Sequence, residues 1–345
     1  MKLWLLTTEY PPQSGGGIST YCWHTAKMFA QKGIEVTVFL PAKQADGRRV
    51  INQEENIRLV YFRQEGNPQN QYLGWEASLS YQFANVLYEF QLSEGPPDFV
   101  ESQEYLGIAY YSLQRQLLDK KFLPETVFFI TAHAPSFLYL DYNQTPWYVL
   151  PEYWIGEMEK SVLKSAHFVL FPSRYLLEQL SERMNFSDTT TAVVRNPFVA
   201  FGPVDDYQEG EFVFFGKLTP QKGGLEMLNY LRGMWDEGFK GRISIIGSGE
   251  HFFYPTMMDM GDYVRKHFSG YIRDGLLRFE GHIPPIKIAE RLGRAQAVIV
   301  PSTVDNLPYT VLEAMSLAKV VLVSEEGGHA ELVRHGESGF TFSHR

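Results

Sequence analysis

The stretch KLWLLTTEYPPQSGGGISTYCWHTAKMFAQKGIEVTVFL (residues 2–40) predicts the fold class. Both of its ends are apolar runs that suit buried strands. Between them, apolar side chains from Ile18 to Phe29 recur at three- and four-residue spacing, as on one face of a helix. Gly33 follows and is suited to end that helix in the left-handed conformation. A strand, a helix and a second strand in this order form a βαβ unit, which predicts a parallel sheet with right-handed crossovers.

Strands and helices continue to alternate along the chain. Runs that suit buried strands occur at residues 2–7, 35–40, Ile57–Phe62, 99–102, 126–131, 167–171, Glu211–Phe215, Arg242–Ile246, 277–280, 297–301 and Val320–Ser324. Residues 197–210 are rich in turn formers and lack helical periodicity. We therefore expect an α/β protein of two Rossmann-like domains, at residues 1–197 and 211–345, with parallel sheets facing a central cleft and a linker at 198–210.

The composition excludes several classes of protein. With 345 residues, of which 44% are hydrophobic and 21% charged, the chain can form two packed cores, which excludes a disordered protein. A net charge of −9 argues against a nucleic-acid partner bound through overall positive charge. The single cysteine, Cys22, cannot form an internal disulfide, the first apolar run is too short for a signal peptide, and no stretch suits a membrane span. A cytoplasmic protein is therefore expected.

A glycine run, Gly15-Gly16-Gly17, lies between the first strand and the first helix. Glycines let a ligand approach the backbone closely, and the free N–H groups at the start of a helix favour an anion. The spacing differs from the G-x-G-x-x-G pattern of dinucleotide-binding sites. A plain flexible loop is therefore the alternative.

Two lysines flank a tight turn in FFGKLTPQKGG (residues 214–224), after a predicted strand and before a predicted helix. Lys217 and Lys222 at this place can neutralise a diphosphate as negative charge develops on it. The alternative is that both are solvated surface lysines.

Two acidic residues lie eight positions apart in PSTVDNLPYTVLEAM (residues 301–315). Asp305 is in the loop after a predicted strand, and Glu313 on the following helix can accept hydrogen bonds from vicinal hydroxyls such as those of ribose. The loop amides that can donate to sugar or phosphate oxygens are those of Asn306, Leu307, Tyr309 and Thr310. Pro308 has no N–H. The alternatives are a helix N-cap or a loop-stabilising acid for Asp305, and a solvated helix residue for Glu313.

A histidine, His133, follows the predicted strand at 126–131. It can exchange a hydrogen bond with a hydroxyl or phosphate near neutral pH, or it can be a structural residue at a strand end. Glu101, Glu104 and Asp141 are predicted near the same sheet edge, where they could meet sugar hydroxyls, unless they are surface loop acids.

Five motifs in order resemble the retaining, nucleotide-sugar-dependent glycosyltransferases of family four, which have the GT-B fold. The first, Gly216-Lys217-Leu218 with Lys222-Gly223, is similar to the family's G-R-L-x-x-x-K-G turn. The others are Ile245-Ile246-Gly247-Ser248-Gly249, Phe279-Glu280-Gly281-His282-Ile283, Asp305 through Glu313, and Gly327-Gly328-His329-Ala330-Glu331. The Pro- and Gly-rich first loop is also similar to that of the family, so the resemblance spans nearly the whole chain.

The resemblance implies roles for the residues at matching positions. Glu313 would hold the ribose hydroxyls, and Asp305 with the amides after it would hold the donor sugar. Lys217 and Lys222 would stabilise the diphosphate leaving group, and His133 would lie near the donor sugar and the acceptor. The implied donor-binding residues are Gly16, Gly17, Gly247, His282, Ile283, Asn306, Leu307, Pro308, Tyr309 and Thr310.

Within that set, Gly16 and Gly17 would approach the diphosphate from the other domain, and Ile283 would contact the base largely through its backbone. Two positions depart from the family's pattern. Asp305 stands where the family usually has Glu and is one methylene shorter, and Lys217 stands where it usually has Arg and lacks the bidentate fork. We expect a tuned donor preference from both differences.

The resemblance implies a front-side displacement with retention, in which the leaving phosphate oxygen takes the acceptor's proton. The sequence contains no D-x-D motif, and the adjacent acids Asp205-Asp206 lie in the predicted linker and not at a strand end. We therefore expect metal-independent catalysis without a cofactor. Compared with the family, the chain ends soon after Gly339-Phe340, and we expect the final helices to be lacking.

The predicted function is transfer of a hexose from a nucleotide-diphosphate sugar, most simply a UDP-sugar, to a hydroxyl of a glycan, lipid-linked or small-molecule acceptor. The alternatives are a nucleotide-sugar hydrolase or epimerase on the same fold, and a catalytically weak nucleotide-sugar-binding protein. Peripheral membrane contact stays open: Trp147 and Tyr148 lie in an aromatic region, which favours it, but few basic residues lie nearby, which argues against it.

Overall fold

The computed structural model describes residues 1–12, 16–42, 50–54, 56–63, 70–133, 135–146, 148–204 and 206–344. Of the residues singled out above, Gly15, Trp147 and Asp205 lie outside the described ones. The chain forms two compact units. Unit 1 comprises Met1–Leu138 and Pro146–Phe198, and unit 2 comprises Tyr139–Thr145 and Val199–Arg345.

Unit 1 contains an eight-stranded sheet in the described part of the chain, with the order β3-β4-β2-β1-β5-β6-β7-β8. Its strands are β1 (Lys2–Leu6), β2 (Glu35–Pro41), β3 (Val50–Glu54), β4 (Ile57–Phe62), β5 (Phe99–Gln103), β6 (Val127–Thr131), β7 (Phe168–Phe171) and β8 (Thr190–Val193). The helices up to residue 198 are α1 (Gly17–Gln31), α2 (Asn70–Glu94), α3 (Tyr110–Leu118), α4 (Ser136–Tyr142), α5 (Glu152–Ser165) and α6 (Arg174–Ser181).

The predicted βαβ unit at the start of the chain is confirmed. Strands β1 and β2 are parallel neighbours, and Gly33, just past the end of α1, has a φ of 78°, a value that favours glycine. All predicted strands of unit 1 match within one residue at each end. Strands β3 and β8 were not predicted from the sequence. Strand β3 (VINQE) pairs with β4 in antiparallel fashion at the edge of the sheet, so it lacks the continuous apolar run of a central strand.

Unit 2 contains a six-stranded sheet, among the described residues, with the order β13-β10-β9-β14-β15-β16 and parallel pairs throughout. Its strands are β9 (Glu211–Phe215), β10 (Arg242–Ile246), β13 (Leu277–Gly281), β14 (Ala297–Val300), β15 (Val320–Ser324) and β16 (Phe340–Phe342), and β11 (Phe252–Phe253) and β12 (Met258–Asp259) form a separate two-stranded pair. The helices are α7 (Gly224–Asp236), α8 (Met260–His267), α9 (Ser269–Arg273), α10 (Pro285–Gly293) and α11 (Tyr309–Ser316).

Both faces of the unit 2 sheet are covered by packed side chains. Neighbouring residues on one strand face opposite sides, so Phe214 belongs to one buried cluster and Val213 to the other. Residues Ile245 and Ile246 divide in the same way. Burial on both faces explains why these strands read as continuous apolar runs in the sequence, and why all five predicted strands of this unit match within one residue.

No helix among the described residues is both long enough and apolar enough to cross a lipid bilayer.

Candidate functional site

The strand order of unit 2 reverses between β9 and β14. In chain order its strands are arranged 3-2-1-4-5-6 when the β11–β12 pair is left aside, which is the order of doubly wound dinucleotide-binding sheets. In such sheets ligands bind beyond the carboxyl ends of the strands at the point of reversal. Lys217 and Lys222 follow β9, and Asp305 and Glu313 follow β14. The topology therefore brings the predicted donor-site residues of unit 2 to this edge.

The turn that carries Lys222 is packed directly against the chain after β14. Gly223, with a φ of 65°, approaches Pro301 so closely that a Cβ atom would lie 1.7 Å from the Pro301 carbonyl oxygen. The Gln221 carbonyl accepts hydrogen bonds from the Thr303 amide at 2.9 Å and from the Thr303 hydroxyl at 3.2 Å. Because only glycine fits at this contact, the backbone next to Lys222 has a fixed position.

Lys222 and Asp305 form an ion pair. The Lys222 ammonium donates to Oδ2 of Asp305 at 2.5 Å, and the Ser302 hydroxyl donates to the same oxygen at 3.0 Å. Oδ1 of Asp305 accepts from the Asn306 amide at 2.9 Å. Burial alone would raise the pKa of Asp305, but Lys222, together with His329 and the Ser302 hydroxyl, outweighs burial and lowers that pKa below its ordinary value. Asp305 is therefore ionised at neutral pH, and the structure excludes the alternative that Lys222 is a solvated, unpaired lysine.

A buried histidine, His329, lies behind the ion pair and was not singled out as a site residue from the sequence. The Ser324 hydroxyl donates to the Ser302 carbonyl, so its contact with Nε2 of His329, at 2.8 Å, requires that this nitrogen carries the proton. Burial lowers the pKa of His329 to about 4, so the imidazole is neutral at pH 7. His329 lies inside the motif Gly327-Gly328-His329-Ala330-Glu331, which is the signal that could have identified it.

Glu313 is half-buried on α11. Burial raises the pKa of its carboxyl group to about 7, and no described residue forms a hydrogen bond or ion pair with that group. The structure thus excludes the alternative of a fully solvated helix residue. A partly desolvated carboxylate without a protein partner is costly, and such groups are frequent where a ligand supplies the missing hydrogen bonds.

The remaining predicted residues of unit 2 differ in exposure. Lys217 is exposed on the turn after β9. Burial lowers the pKa of His251, and the nearby positive charge of Lys217 lowers it further. A Cβ atom on Gly247 would lie 2.1 Å from the Gly216 carbonyl oxygen, so the ends of β9 and β10 meet there. His282 is exposed, whereas Ile283 is half-buried and packs against the core.

The loop between Asp305 and α11 is mostly buried. Asn306, Leu307 and Tyr309 are all less than 10% exposed, and Pro308 immediately precedes α11. The Asn306 amide is already bonded to Asp305, so it is not a free donor in this structure. The hydroxyl of Thr310 donates to the Phe215 carbonyl at 3.3 Å, which joins the start of α11 to the end of β9.

Three predicted residues lie in unit 1, whose strand order reverses between β1 and β5: Gly16 and Gly17 follow β1, and His133 follows β6, one strand beyond β5. Gly16 and Gly17 form the exposed start of α1, and a Cβ atom on Gly17 would have no atom within 4 Å. His133 is 9% exposed; its amide donates to the Glu104 carboxylate at 2.8 Å and its ring packs on Tyr21. Burial lowers the pKa of His133 to about 3, so this imidazole offers hydrogen bonds but no positive charge at neutral pH.

Glu101 and Glu104 are completely buried, which rules out surface loop acids at these two positions, whereas Asp141 is exposed on α4. Glu101 accepts hydrogen bonds from the hydroxyls of Tyr21 and Thr131, the latter at 3.1 Å. Burial raises the pKa of Glu101 to about 7. Hydrogen bonds therefore hold both acids in the interior of unit 1.

Two family models match the chain. The model described as "Glycosyl transferase 4-like domain" matches residues 16–197, and the one described as "Glycosyl transferases group 1" matches residues 209–345. An uncharacterized glycosyltransferase of Methanocaldococcus jannaschii is 22% identical over 98% of this chain and 84% of its own length.

Solved structures of similar fold include HepE of Anabaena in complex with UDP-glucose, with a TM-score of 0.64 at 17% identity over 99% of this chain and 85% of that one. The catalytic domain of starch synthase IV from Arabidopsis thaliana, bound to ADP and acarbose, has a TM-score of 0.74 at 14% identity over 99% of this chain and 88% of that one. Family models and fold agree with the five motifs in the sequence. The chain belongs to the family-four type of glycosyltransferases, which have the GT-B fold.

Proposed function

We propose that the protein is a retaining hexosyltransferase that binds a nucleotide-diphosphate sugar at the carboxyl edge of the unit 2 sheet and transfers the sugar to an acceptor hydroxyl. The observation that carries the proposal is the pair of side chains that follow strands β9 and β14, where the strand order of the sheet reverses. A partly exposed ammonium group, that of Lys222, follows one strand, and a carboxyl group without a protein partner among the described residues, that of Glu313, lies on the helix after the other.

Glu313 is proposed to bind the nucleoside. An ionised carboxylate has two oxygens that accept from the two vicinal hydroxyls of a ribose, which replaces the hydrogen bonds that burial has removed. Ile283, after β13, is proposed to contact the base through its backbone, and its side chain is held by packing against the core. Gly247 and His282 border the same edge.

The lysines are proposed to stabilise the leaving group. As the C1–O bond to the diphosphate breaks, negative charge grows on the phosphate oxygens, and fixed cations nearby lower the barrier. Lys222 is held by its ion pair, and Lys217 is exposed and free to move toward a ligand. Because two cationic side chains are available for this charge, we propose that transfer proceeds without a divalent cation.

The bonds exchanged in the proposed step are balanced. The acceptor oxygen forms a bond to C1 on the face that the diphosphate leaves, and the acceptor's proton passes to the leaving phosphate oxygen, so the configuration at C1 is retained. In unit 1, Gly16, Gly17 and His133 stay predictions from the family resemblance. A neutral His133 would act there as a hydrogen-bond partner of a sugar hydroxyl.

A UDP-sugar is the proposed donor, supported by the UDP-glucose complex of HepE, while the ADP complex of starch synthase IV makes ADP-glucose the comparison to include. The test is incubation of the protein with UDP-, GDP- and ADP-glucose, with and without a panel of sugar acceptors and with EDTA throughout. Nuclear magnetic resonance then reports the products.

We expect release of nucleoside diphosphate only when an acceptor is present, together with an α-linked product from the α-linked donor. A β-linked product would contradict retention, and loss of transfer in EDTA would contradict metal independence. Free sugar formed without acceptor would indicate a hydrolase, a changed sugar on the nucleotide would indicate an epimerase, and binding without turnover would indicate a binding protein.

A further inference from the structure

The carboxylate of Asp305 has little capacity left for a sugar. A carboxylate oxygen accepts about two hydrogen bonds, and Oδ2 already accepts from the Lys222 ammonium and the Ser302 hydroxyl. Oδ1 accepts from the Asn306 amide. Only 12% of the side chain is exposed. These contacts direct Asp305 toward the protein.

Lys222, by contrast, keeps donors for a ligand. An ammonium group has three N–H donors, and Asp305 is its partner among the described residues. The Lys222 side chain is 26% exposed, about twice the fraction of Asp305. The ammonium group is therefore the accessible member of the pair.

The backbones on both sides of the pair are fixed. Lys222 precedes Gly223, whose contact with Pro301 admits no side chain. The Asp305 carbonyl accepts from the Gly328 amide at 2.9 Å, and a Cβ atom on Gly327 would lie 3.0 Å from the same carbonyl oxygen. With both ends anchored, the length of the side chain at position 305 decides where the Lys222 ammonium lies.

We propose that Asp305 is a positioning residue that acts through Lys222 and does not bind the donor sugar. It holds the flexible lysine side chain in one orientation at the β9/β14 edge, so that a diphosphate meets an ammonium group already in place. The proposal rests on the proposed function for the identity of the ligand, but the ion pair itself is tested without any ligand. This role also explains why aspartate and not glutamate occupies position 305. The 2.5 Å contact with Lys222 leaves no space for the extra methylene of glutamate unless a side chain moves.

The ligand-free test is a double-mutant cycle on thermal unfolding with Asp305→Asn and Lys222→Met. Asparagine keeps the shape and an acceptor oxygen, and methionine keeps the length of the lysine chain. We expect Asp305→Asn to lower the unfolding midpoint by about 3 °C in the wild-type background. In the Lys222→Met background it should leave the midpoint unchanged or raise it, because it then removes a buried carboxylate that has lost its partner. An equal decrease in both backgrounds would overturn the proposal.

The matched control for this cycle is Lys266→Met, on the exposed face of α8. In that background Asp305→Asn should lower the midpoint as it does in the wild type. Loss of the decrease there would also overturn the proposal, because the coupling would then not belong to Lys222.

The ligand test compares a nucleotide with its sugar conjugate by titration calorimetry, using whichever of UDP, GDP and ADP the wild type binds and the matching nucleotide-glucose. Freeing Lys222 weakens binding and removing a nearby negative charge strengthens it, but both effects act on the diphosphate. Because the orientation of Lys222 is proposed to be the larger effect, we expect Asp305→Asn to raise the Kd values of nucleotide and nucleotide-glucose by one common factor of about fivefold or more, equal within about twofold. In the Lys222→Met background the weakening should disappear, because only the loss of negative charge remains, and that loss leaves binding unchanged or strengthens it.

A weakening confined to the nucleotide-glucose would identify Asp305 as a sugar ligand and overturn the proposal. A weakening that persists without Lys222 would also overturn it, as would unchanged or stronger binding of both ligands when Lys222 is present. If the wild type binds none of the three nucleotides, the proposed function fails, and the unfolding cycle still decides whether Asp305 acts through Lys222.

Discussion

The ammonium nitrogen of Lys222 lies 2.5 Å from Oδ2 of Asp305, although the two residues are 83 positions apart in the chain. This contact joins the turn after β9 to the loop after β14, the two strands at which the order of the unit 2 sheet reverses. The ion pair therefore holds together the two segments that carry Lys222 and Glu313, the residues proposed to bind the donor.

Replacing the two lysines separates their contributions. We expect Lys222→Met to lower kcat for transfer by about 10²-fold to 10³-fold, as for loss of a preorganised group that stabilises the leaving charge. Lys217→Met should have the smaller effect, about tenfold, because Lys217 is exposed and not held by an ion pair. Steady-state transfer kinetics measure both, with Lys266→Met as the control. Near-wild-type rates for Lys222→Met would contradict the site assignment.

Nucleotide binding should depend on the ionisation of Glu313. Burial raises the pKa of this group to about 7, so the fraction in the ionised form that accepts from ribose falls as the pH falls below that value. The Kd for the nucleotide should be about tenfold weaker at pH 6 than at pH 8. Titration calorimetry at both pH values measures the difference. The Glu313→Gln variant should bind weakly and without this dependence, and a variant that keeps the dependence would refute the role.

The same carboxyl group should reduce stability at alkaline pH. Its pKa is higher in the folded protein than in the unfolded chain, so its favourable contribution is complete below about pH 4.5 and is lost as the pH rises through 7. Glu313→Gln should therefore stabilise the protein at pH 8 by up to about 3 kcal/mol and have little effect at pH 4.5. Urea unfolding at the two pH values measures this. A destabilised variant at pH 8 would show that the carboxylate has a protein partner.

The close contact of Gly223 with Pro301 predicts a large cost for any side chain there. Gly223→Ala should destabilise unit 2 by about 2 kcal/mol or more, through the steric overlap with the Pro301 carbonyl and the positive φ. Gly233→Ala is the matched control, since Gly233 lies in α7 with no atom within 4 Å of its added Cβ. That variant should be stabilised by about 0.5–1 kcal/mol, and equal denaturant midpoints for the two variants would contradict the geometry.

His133 should not contribute an ionisation to the pH dependence of activity. Burial lowers its pKa to about 3, so it remains neutral from pH 5 to pH 9. We expect His133→Asn to lower kcat while the shape of the pH–rate profile is preserved. A profile measured over this range decides the point. The disappearance of an inflection in His133→Asn, but not in Glu313→Gln, would assign the titrating group to His133 instead.

Much of the fold was predictable because its strands are buried on both faces. Glu211–Phe215 and Val320–Ser324 read as strands from local sequence alone and match the structure at both ends. Strand β8 (TTAV) was not predicted, because its four residues, three of them exposed and one half-buried, form no apolar run. Its place in the sheet depends on pairing with β7, a contact that local sequence does not encode.

The sequence predicted which residues lie at the candidate site, but not which of their side chains contact one another. The motifs indicated Lys222 and Asp305 separately, but the ion pair between them depends on the packing of Gly223 against Pro301, which brings two distant loops together. Likewise, the sequence placed Glu101 near a sheet edge but not in the interior. Its burial is possible because hydroxyls of Tyr21 and Thr131, on other elements, donate to its carboxylate.

The location of the donor site in unit 2 is the central claim, and hydrogen–deuterium exchange with and without a bound nucleoside diphosphate tests it most directly. Residues 216–224, after β9, and residues 305–316, which include α11, should exchange more slowly in the complex. Slower exchange confined to unit 1, or unchanged exchange of both segments in a protein saturated with nucleotide, would contradict the assignment of the donor site to this edge.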